Sequence, residues 1–106
     1  MNEVPEVSLE EAKQKLGTPE TTFVDIRHSG DYVQAHVPGA LHLDETSAAQ
    51  WTQTADKAKP IIVYCYHGYS SQDAAAWLLE SGFQNVHSMR GGFEGWRSAF
   101  PSDIQK

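Results

Sequence analysis

The sequence holds a single cysteine, so no disulfide can close within the chain. A thiolate-based structural zinc site lacks its ligands for the same reason. The histidines, at positions 28, 36, 42, 67 and 87, form no i, i+4 pair on an expected helix. Neither a metal nor any other cofactor is expected. Positive charge is also scarce. Eight Lys and Arg stand against 14 Asp and Glu, a formal net charge of -6. That balance argues against a nucleic-acid partner, because phosphate backbones are held by basic patches. No apolar run approaches the ~20 residues that cross a bilayer, so no membrane partner is expected. The opening Met1-Asn-Glu-Val-Pro-Glu6 is acidic and lacks the basic and apolar regions of a signal peptide. A lone thiol stays reduced in the cytoplasm, which is the expected compartment.

The 106 residues, 40% of them hydrophobic, suffice for one domain spanning 1–106 with a packed core. Strand and helix signals alternate along it. Glu6-Val7 suits a short edge strand, and Ser8 with Glu11 reads as a capping box opening a helix that stops at Gly17. Thr22–Ile26 reads as a buried strand with Asp25 and Arg27 at its C-terminal end. A loop over 28–31 leads to a short helical turn over 31–35. Val37-Pro38-Gly39 is a turn, and Ala40–Leu43 a short strand. Ser47–Thr54 is expected as a helix with Ala48, Ala49 and Trp51 inward. Ile61–Tyr64 is a strand, residues from about Ser71 to Gly82 a helix, Asn85–Met89 the last strand and Phe93–Phe100 the last helix. Phe93, Trp96 and Phe100 share a helical face and read as core, as do Trp51 and Trp77. Such alternation predicts a parallel sheet with helices on both faces, joined by right-handed crossovers.

The chemistry concentrates in Ile61-Ile-Val-Tyr-Cys65-Tyr-His-Gly-Tyr-Ser70-Ser71. A lone cysteine is ordinarily a small apolar filler. Two features set Cys65 apart. It stands at a strand-to-loop boundary, the end of a parallel sheet where sites form. The residues after it, His67, Gly68, Ser70 and Ser71, suit a backbone cradle and a helix start, with Ser71 the expected cap. Loop amides and a helix N-terminus stabilise a thiolate. Cysteine phosphatases place an arginine six residues after the cysteine to clamp phosphate. Here that position is Ser71, and no Lys or Arg occurs between Lys59 and Arg90.

Three blocks together resemble the rhodanese family of sulfurtransferases. They are Tyr32-Val-Gln-Ala-His36-Val-Pro-Gly-Ala40, the loop Cys65–Ser70, and Gly91-Gly92-Phe93-Glu94-Gly95-Trp96. Val24-Asp25-Ile26-Arg27 matches the strand ahead of the first block. The length and the Cys-Tyr-His-Gly loop look most like the family's short, single-domain bacterial thiosulfate sulfurtransferases. The resemblance implies an α/β fold of three α/β/α layers around a five-stranded parallel sheet in the order 3-2-4-5-1. Cys65 would end the central strand. It also implies the chemistry: the Cys65 thiolate takes the outer sulfur of thiosulfate as a persulfide and passes it to cyanide or a thioredoxin-like dithiol. Backbone N–H groups of Tyr66, His67, Gly68, Tyr69 and Ser70 would hold the sulfur, with a Ser71 hydroxyl contact secondary. Tyr69 departs from the smaller polar residue that relatives often carry there. A rival reading is a persulfide carrier or interaction module with little thiosulfate turnover.

The implied strand order would bring Asp25, Arg27 and Arg90 near the mouth of the site. Arg27 is expected in an ion pair with Asp25 or Glu94, and Arg90 as a solvated charge. The His67 side chain is expected to point outward, and His36 to bond backbone. Tyr66 and Tyr69 line the entrance or pack on neighbouring loops.

Overall fold

The computed structural model describes residues 4–106; the acidic start Met1–Glu3 lies outside them. The elements run β1 (Glu6–Val7), α1 (Leu9–Lys15), β2 (Thr22–Asp25), α2 (Ser29–Gln34), β3 (Leu41–His42), α3 (Glu45–Thr54), β4 (Ile61–Tyr64), α4 (Ser70–Glu80), β5 (Val86–Met89) and α5 (Gly92–Ala99). The sheet order is β1-β5-β4-β2-β3, the expected order read from its other edge, and every pairing is parallel. Central β4 pairs Ile61–Tyr64 with Thr22–Asp25 on one side and Ile61–Val63 with Val86–Ser88 on the other.

Strand alternation divides the interior into two layers. Ile62 and Tyr64 face a cluster with Ala12, Val37, Phe93 and Trp96. Ile61 and Val63 face Ala75, Leu78, Phe83 and Val86. Helices α1, α2 and α5 therefore cover one face, and α3 and α4 the other. Every residue of β4 is buried, as a strand covered on both faces requires.

The local chemistry explains the helix ends. Ser8 and Glu11 form the expected capping box, with Glu11 N–H to Ser8 Oγ at 3.0 Å and Ser8 N–H to Glu11 Oε1 at 2.9 Å. Helix α3 starts at Glu45, not Ser47, because Asp44 caps it reciprocally with Ser47. Ser47 is thus the third helical position rather than the opening of the helix. Helix α2 likewise starts at Ser29, ahead of Asp31. The strand expected over Ala40–Leu43 reduces to two paired residues.

Two side chains assigned to the core face outward. Ala49 is exposed on α3, while Ala48 and Trp51 pack inward. Trp77 is 42% exposed on α4. The helix it rides already buries Ala75 and Leu78 against the sheet, which turns position 77 toward solvent.

Trp96 is fully buried, packs edge-on to Phe23 and Phe100, and donates its indole N–H to the Asp103 carbonyl at 2.8 Å. Trp96→Ala removes this packing and leaves a cavity. It is expected to destabilise the fold by about 3–5 kcal/mol, read as a lower urea midpoint at unchanged slope.

Candidate active site

Chain direction places the site. All five strands are parallel, so β4 ends at the edge of the sheet where the loop 65–69 turns into α4. Cys65 follows the last paired residue and is 4% exposed. Gly68 sits at φ +96, a left-handed conformation that lets the backbone fold back over the sulfur. Its N–H reaches Cys65 Sγ at 3.2 Å. The N–H of Ser71, in the first turn of α4 and without an acceptor in its own helix, reaches Sγ at 3.3 Å. The Ser71 hydroxyl lies 3.5 Å from the same sulfur.

These contacts decide the ionisation. Burial pushes the thiol up, but the Ser71 hydroxyl, then the N–H groups of Ser71, Gly68 and His67, outweigh it. The net result is a thiol below its ordinary value, with thiolate favoured.

The cradle differs from expectation in its members. Among the loop amides, those of Tyr66, Tyr69 and Ser70 make no hydrogen bond to Sγ in this structure. Ser71 is not the helix cap. Tyr69 occupies that position without a side-chain cap bond, and Ser71 is fully buried one step inside the helix. Its hydroxyl turns inward, 2.7 Å from the hydroxyl of Ser88 on β5.

The loop is held from behind by α5. Phe93 N–H donates to the Cys65 carbonyl at 2.8 Å, and Glu94 N–H to the Tyr66 carbonyl at 3.0 Å. A Cβ on Gly92 would stand 2.5 Å from the Tyr66 carbonyl oxygen and 2.7 Å from that of Cys65. Only glycine lets α5 approach this closely, which gives the Gly91-Gly92-Phe93 block its physical reason. Gln72 braces the loop through Nε2 to the Gly68 carbonyl at 3.0 Å. The Tyr66 hydroxyl donates to the Asp31 carboxylate and so ties the loop to α2.

Arg27 is spoken for. Its side chain is 3% exposed and pairs with Asp25, Nη2 to Oδ2 at 2.8 Å. The same Nη2 donates to the Ala35 carbonyl at 2.6 Å, and the guanidinium carbon lies 4.2 Å from the Phe93 ring centroid. Burial lowers its proton affinity, but the Asp25 carboxylate more than restores it, so Arg27 stays charged. Arg90 is exposed, with Glu6 3.4 Å away. The His67 side chain is exposed, and His36 Nδ1 lies 2.6 Å from the Tyr32 carbonyl oxygen. Tyr69 is 78% exposed at the loop's outer side. Among the described residues no group of His, Cys, Asp and Glu is arranged to hold a metal ion.

The protein has two hollows that Cys65 does not line. A cleft of about 390 Å³ runs past Arg27, His28, His42 and Tyr66. An apolar hollow of about 540 Å³ lies between α3 and α4, under Trp77. The sulfur itself sits in a cup of backbone, consistent with a small anionic ligand rather than a bulky organic one.

Sequence reasoning missed Ser88, Gln72 and Asp31. Only Ser88 carried a signal, as a polar residue inside an apolar strand.

This fold and this loop belong to a known class. The family model for the rhodanese-like domain matches residues 8–99, and the chain belongs to that family. Curated relatives include the thiosulfate sulfurtransferase GlpE of Pseudomonas entomophila, 46% identical over 97% of this chain and 94% of its own length. The protein of the same name from Pseudomonas fluorescens is 43% identical over 98% of this chain and 94% of its own. A solution structure of a rhodanese-like domain from Anabaena shares the fold, with a TM-score of 0.85 at 24% identity, over 99% of this chain and 80% of that one. No helix among the described residues is long and apolar enough to cross a membrane.

Ser71→Ala removes the hydroxyl and keeps the amide. The thiol should then titrate higher, by roughly one to two pH units, since a hydrogen bond to a charged group is worth ~1.5–3 kcal/mol. Only thiolate reacts with iodoacetamide, so the midpoint of alkylation rate against pH should move to higher pH. An unmoved midpoint would show that the hydroxyl does not stabilise the sulfur anion.

Proposed function

We propose that this chain is a thiosulfate sulfurtransferase that carries sulfane sulfur on Cys65. The observation behind the reading is the set of donors around Sγ, two amides and a hydroxyl within 3.5 Å, which favour thiolate without any cation in contact. The names borne by the curated relatives point to thiosulfate as donor.

The thiolate attacks the outer sulfur of thiosulfate. A sulfur–sulfur bond to Cys65 forms, the bond to the sulfonate sulfur breaks, and sulfite leaves with the electron pair. The persulfide left behind has the same single negative charge as the thiolate, now carried on its outer sulfur. This is covalent catalysis by an activated nucleophile. Cyanide can then take the outer sulfur as thiocyanate and return the thiolate. A thioredoxin-like dithiol can take it instead, closing its own disulfide and releasing hydrogen sulfide. With one cysteine in the sequence, no second thiol of this chain can discharge the persulfide, so the acceptor comes from outside. A thiol that must stay reduced suits the cytoplasm. The serine at position 71, where a phosphate-clamping arginine would stand, argues against a phosphatase.

The low exposure of Cys65 favours a second reading, a persulfide carrier docked by one protein partner. The two separate cleanly. Intact mass should rise by one sulfur atom after thiosulfate, fall back with a reducing dithiol, and stay constant in Cys65→Ser. Steady-state thiocyanate production should accompany the mass change and vanish in the same variant. A stable persulfide with negligible thiocyanate would favour the carrier, and full activity in Cys65→Ser would overturn the nucleophile itself.

Arg90 stands exposed beside Glu6, so its charge is largely answered in place. Arg90→Ala is therefore expected to leave the Michaelis constant for thiosulfate unchanged at low salt. A rise that added salt abolishes would instead place Arg90 in the substrate's approach.

A further inference from the structure

We propose that Ser88, on β5, is a positioning residue that turns the Ser71 hydroxyl proton onto the Cys65 sulfur. The proposal deepens the reading of Cys65 as the sulfur-bearing nucleophile and rests on it.

Ser88 is fully buried, in a strand whose other residues are Val86, His87 and Met89. It stands two residues after Val86 and so on the same face, the one covered by α4. A buried hydroxyl on that face costs free energy unless it is bonded. Among the described residues its one side-chain hydrogen bond is to Ser71 Oγ, at 2.7 Å. Ser71 Oγ in turn lies 3.5 Å from Cys65 Sγ. The three atoms form a chain that ends at the sulfur, and no water is needed to complete it.

Counting protons gives the chain a direction. With a thiolate, Ser88 donates to Ser71 Oγ and Ser71 donates to the sulfur, so both hydroxyl protons have acceptors. With a thiol donating to Ser71 Oγ, the two hydroxyls cannot both donate within the chain, and one of their protons is left without a side-chain acceptor in a buried place. The pair therefore favours ionised sulfur. Each bond in such a chain also polarises the next. The fully buried Ser71 and Ser88 side chains keep this geometry out of competition with solvent.

Ionisable groups on the surrounding elements include Asp25 and Arg27 at the end of β2, Tyr64 on β4, Tyr66, His67 and Tyr69 in the loop, Asp73 on α4, His87 on β5, Arg90 after it and Glu94 on α5. None of their side chains bonds to Sγ. Asp25 and Arg27 answer each other, and Tyr66 is bonded to Asp31. The hydroxyl pair is thus the side-chain contribution to the sulfur's own hydrogen bonds.

The test is a double-mutant cycle read by the pH dependence of iodoacetamide alkylation, which needs no sulfur transfer. Ser88→Ala should raise the midpoint by roughly a third of a pH unit, a fraction of the effect of Ser71→Ala, because it acts by strengthening an existing bond. In a Ser71→Ala background the same change should shift nothing. An equal shift in both backgrounds, or none in either, would overturn the proposal, since a merely structural role for Ser88 would not depend on Ser71. If Ser88→Ala fails to fold, Ser88→Thr and Ser88→Val, alike in bulk and strand preference, isolate the hydroxyl. The valine variant should then titrate above the threonine variant, and equal midpoints would refute the role. Thiocyanate formation by Cys65→Ser judges the sulfurtransferase reading separately, so either idea can fail alone.

Discussion

A loop can aim several amides at one atom only if its carbonyls are satisfied elsewhere. In this protein α5 meets that condition. The first-turn N–H groups of Phe93 and Glu94 donate to the Cys65 and Tyr66 carbonyls, which draws the oxygen side of the loop away from the sulfur. Gly92 permits the contact by having no Cβ to collide with those same carbonyls. The unsatisfied N-terminus of one helix thereby sets the back of the loop, while that of α4 supplies a donor at its front through Ser71. The surroundings of the Cys65 sulfur are a product of two helix ends meeting across one short loop.

The balance at the sulfur is between burial and hydrogen bonding. Removing Cys65 from water disfavours its anion, and the donors around it reverse that preference. No cation takes part. Neutral dipoles lower the thiol's proton affinity without placing a full charge beside it.

The one buried arginine illustrates why proximity is a poor guide to role. Arg27 follows the strand beside β4, yet its charge is answered by Asp25, its Nε and Nη2 groups bond Asp25 and Ala35, and its guanidinium carbon lies near the Phe93 ring. Removing either member would strand a buried charge, a change of about 3–5 kcal/mol in comparable pairs. The pair therefore fastens β2, α2 and α5 together beneath the loop.

Much of this was legible along the chain because the signals were local. Ser8 and Glu11 cap a helix three residues apart, Ile61–Tyr64 is short, β-prone and apolar, and Phe93, Trp96 and Phe100 mark one helical face. The Cys65 loop and the Gly91-Gly92-Phe93 block were likewise visible as residues, as was an ion pair for Arg27, although the choice of Asp25 over Glu94 was not. Misreadings came where two local assignments competed: Ser47 can open a helix or close a capping box, and Ser71 can cap a helix or turn into the core. Trp77 went astray because an aromatic side chain on a helix says nothing about which face the sheet will cover. By itself, then, the sequence determined the order of strands and helices, the place of its lone cysteine at a strand end and the lack of a second thiol in these 106 residues. Tertiary structure alone decided which amides reach the sulfur, that Ser71 faces Ser88 from 17 residues away, and that α5 holds the loop from behind. Those choices depend on distances between remote segments, which only the packed sheet establishes.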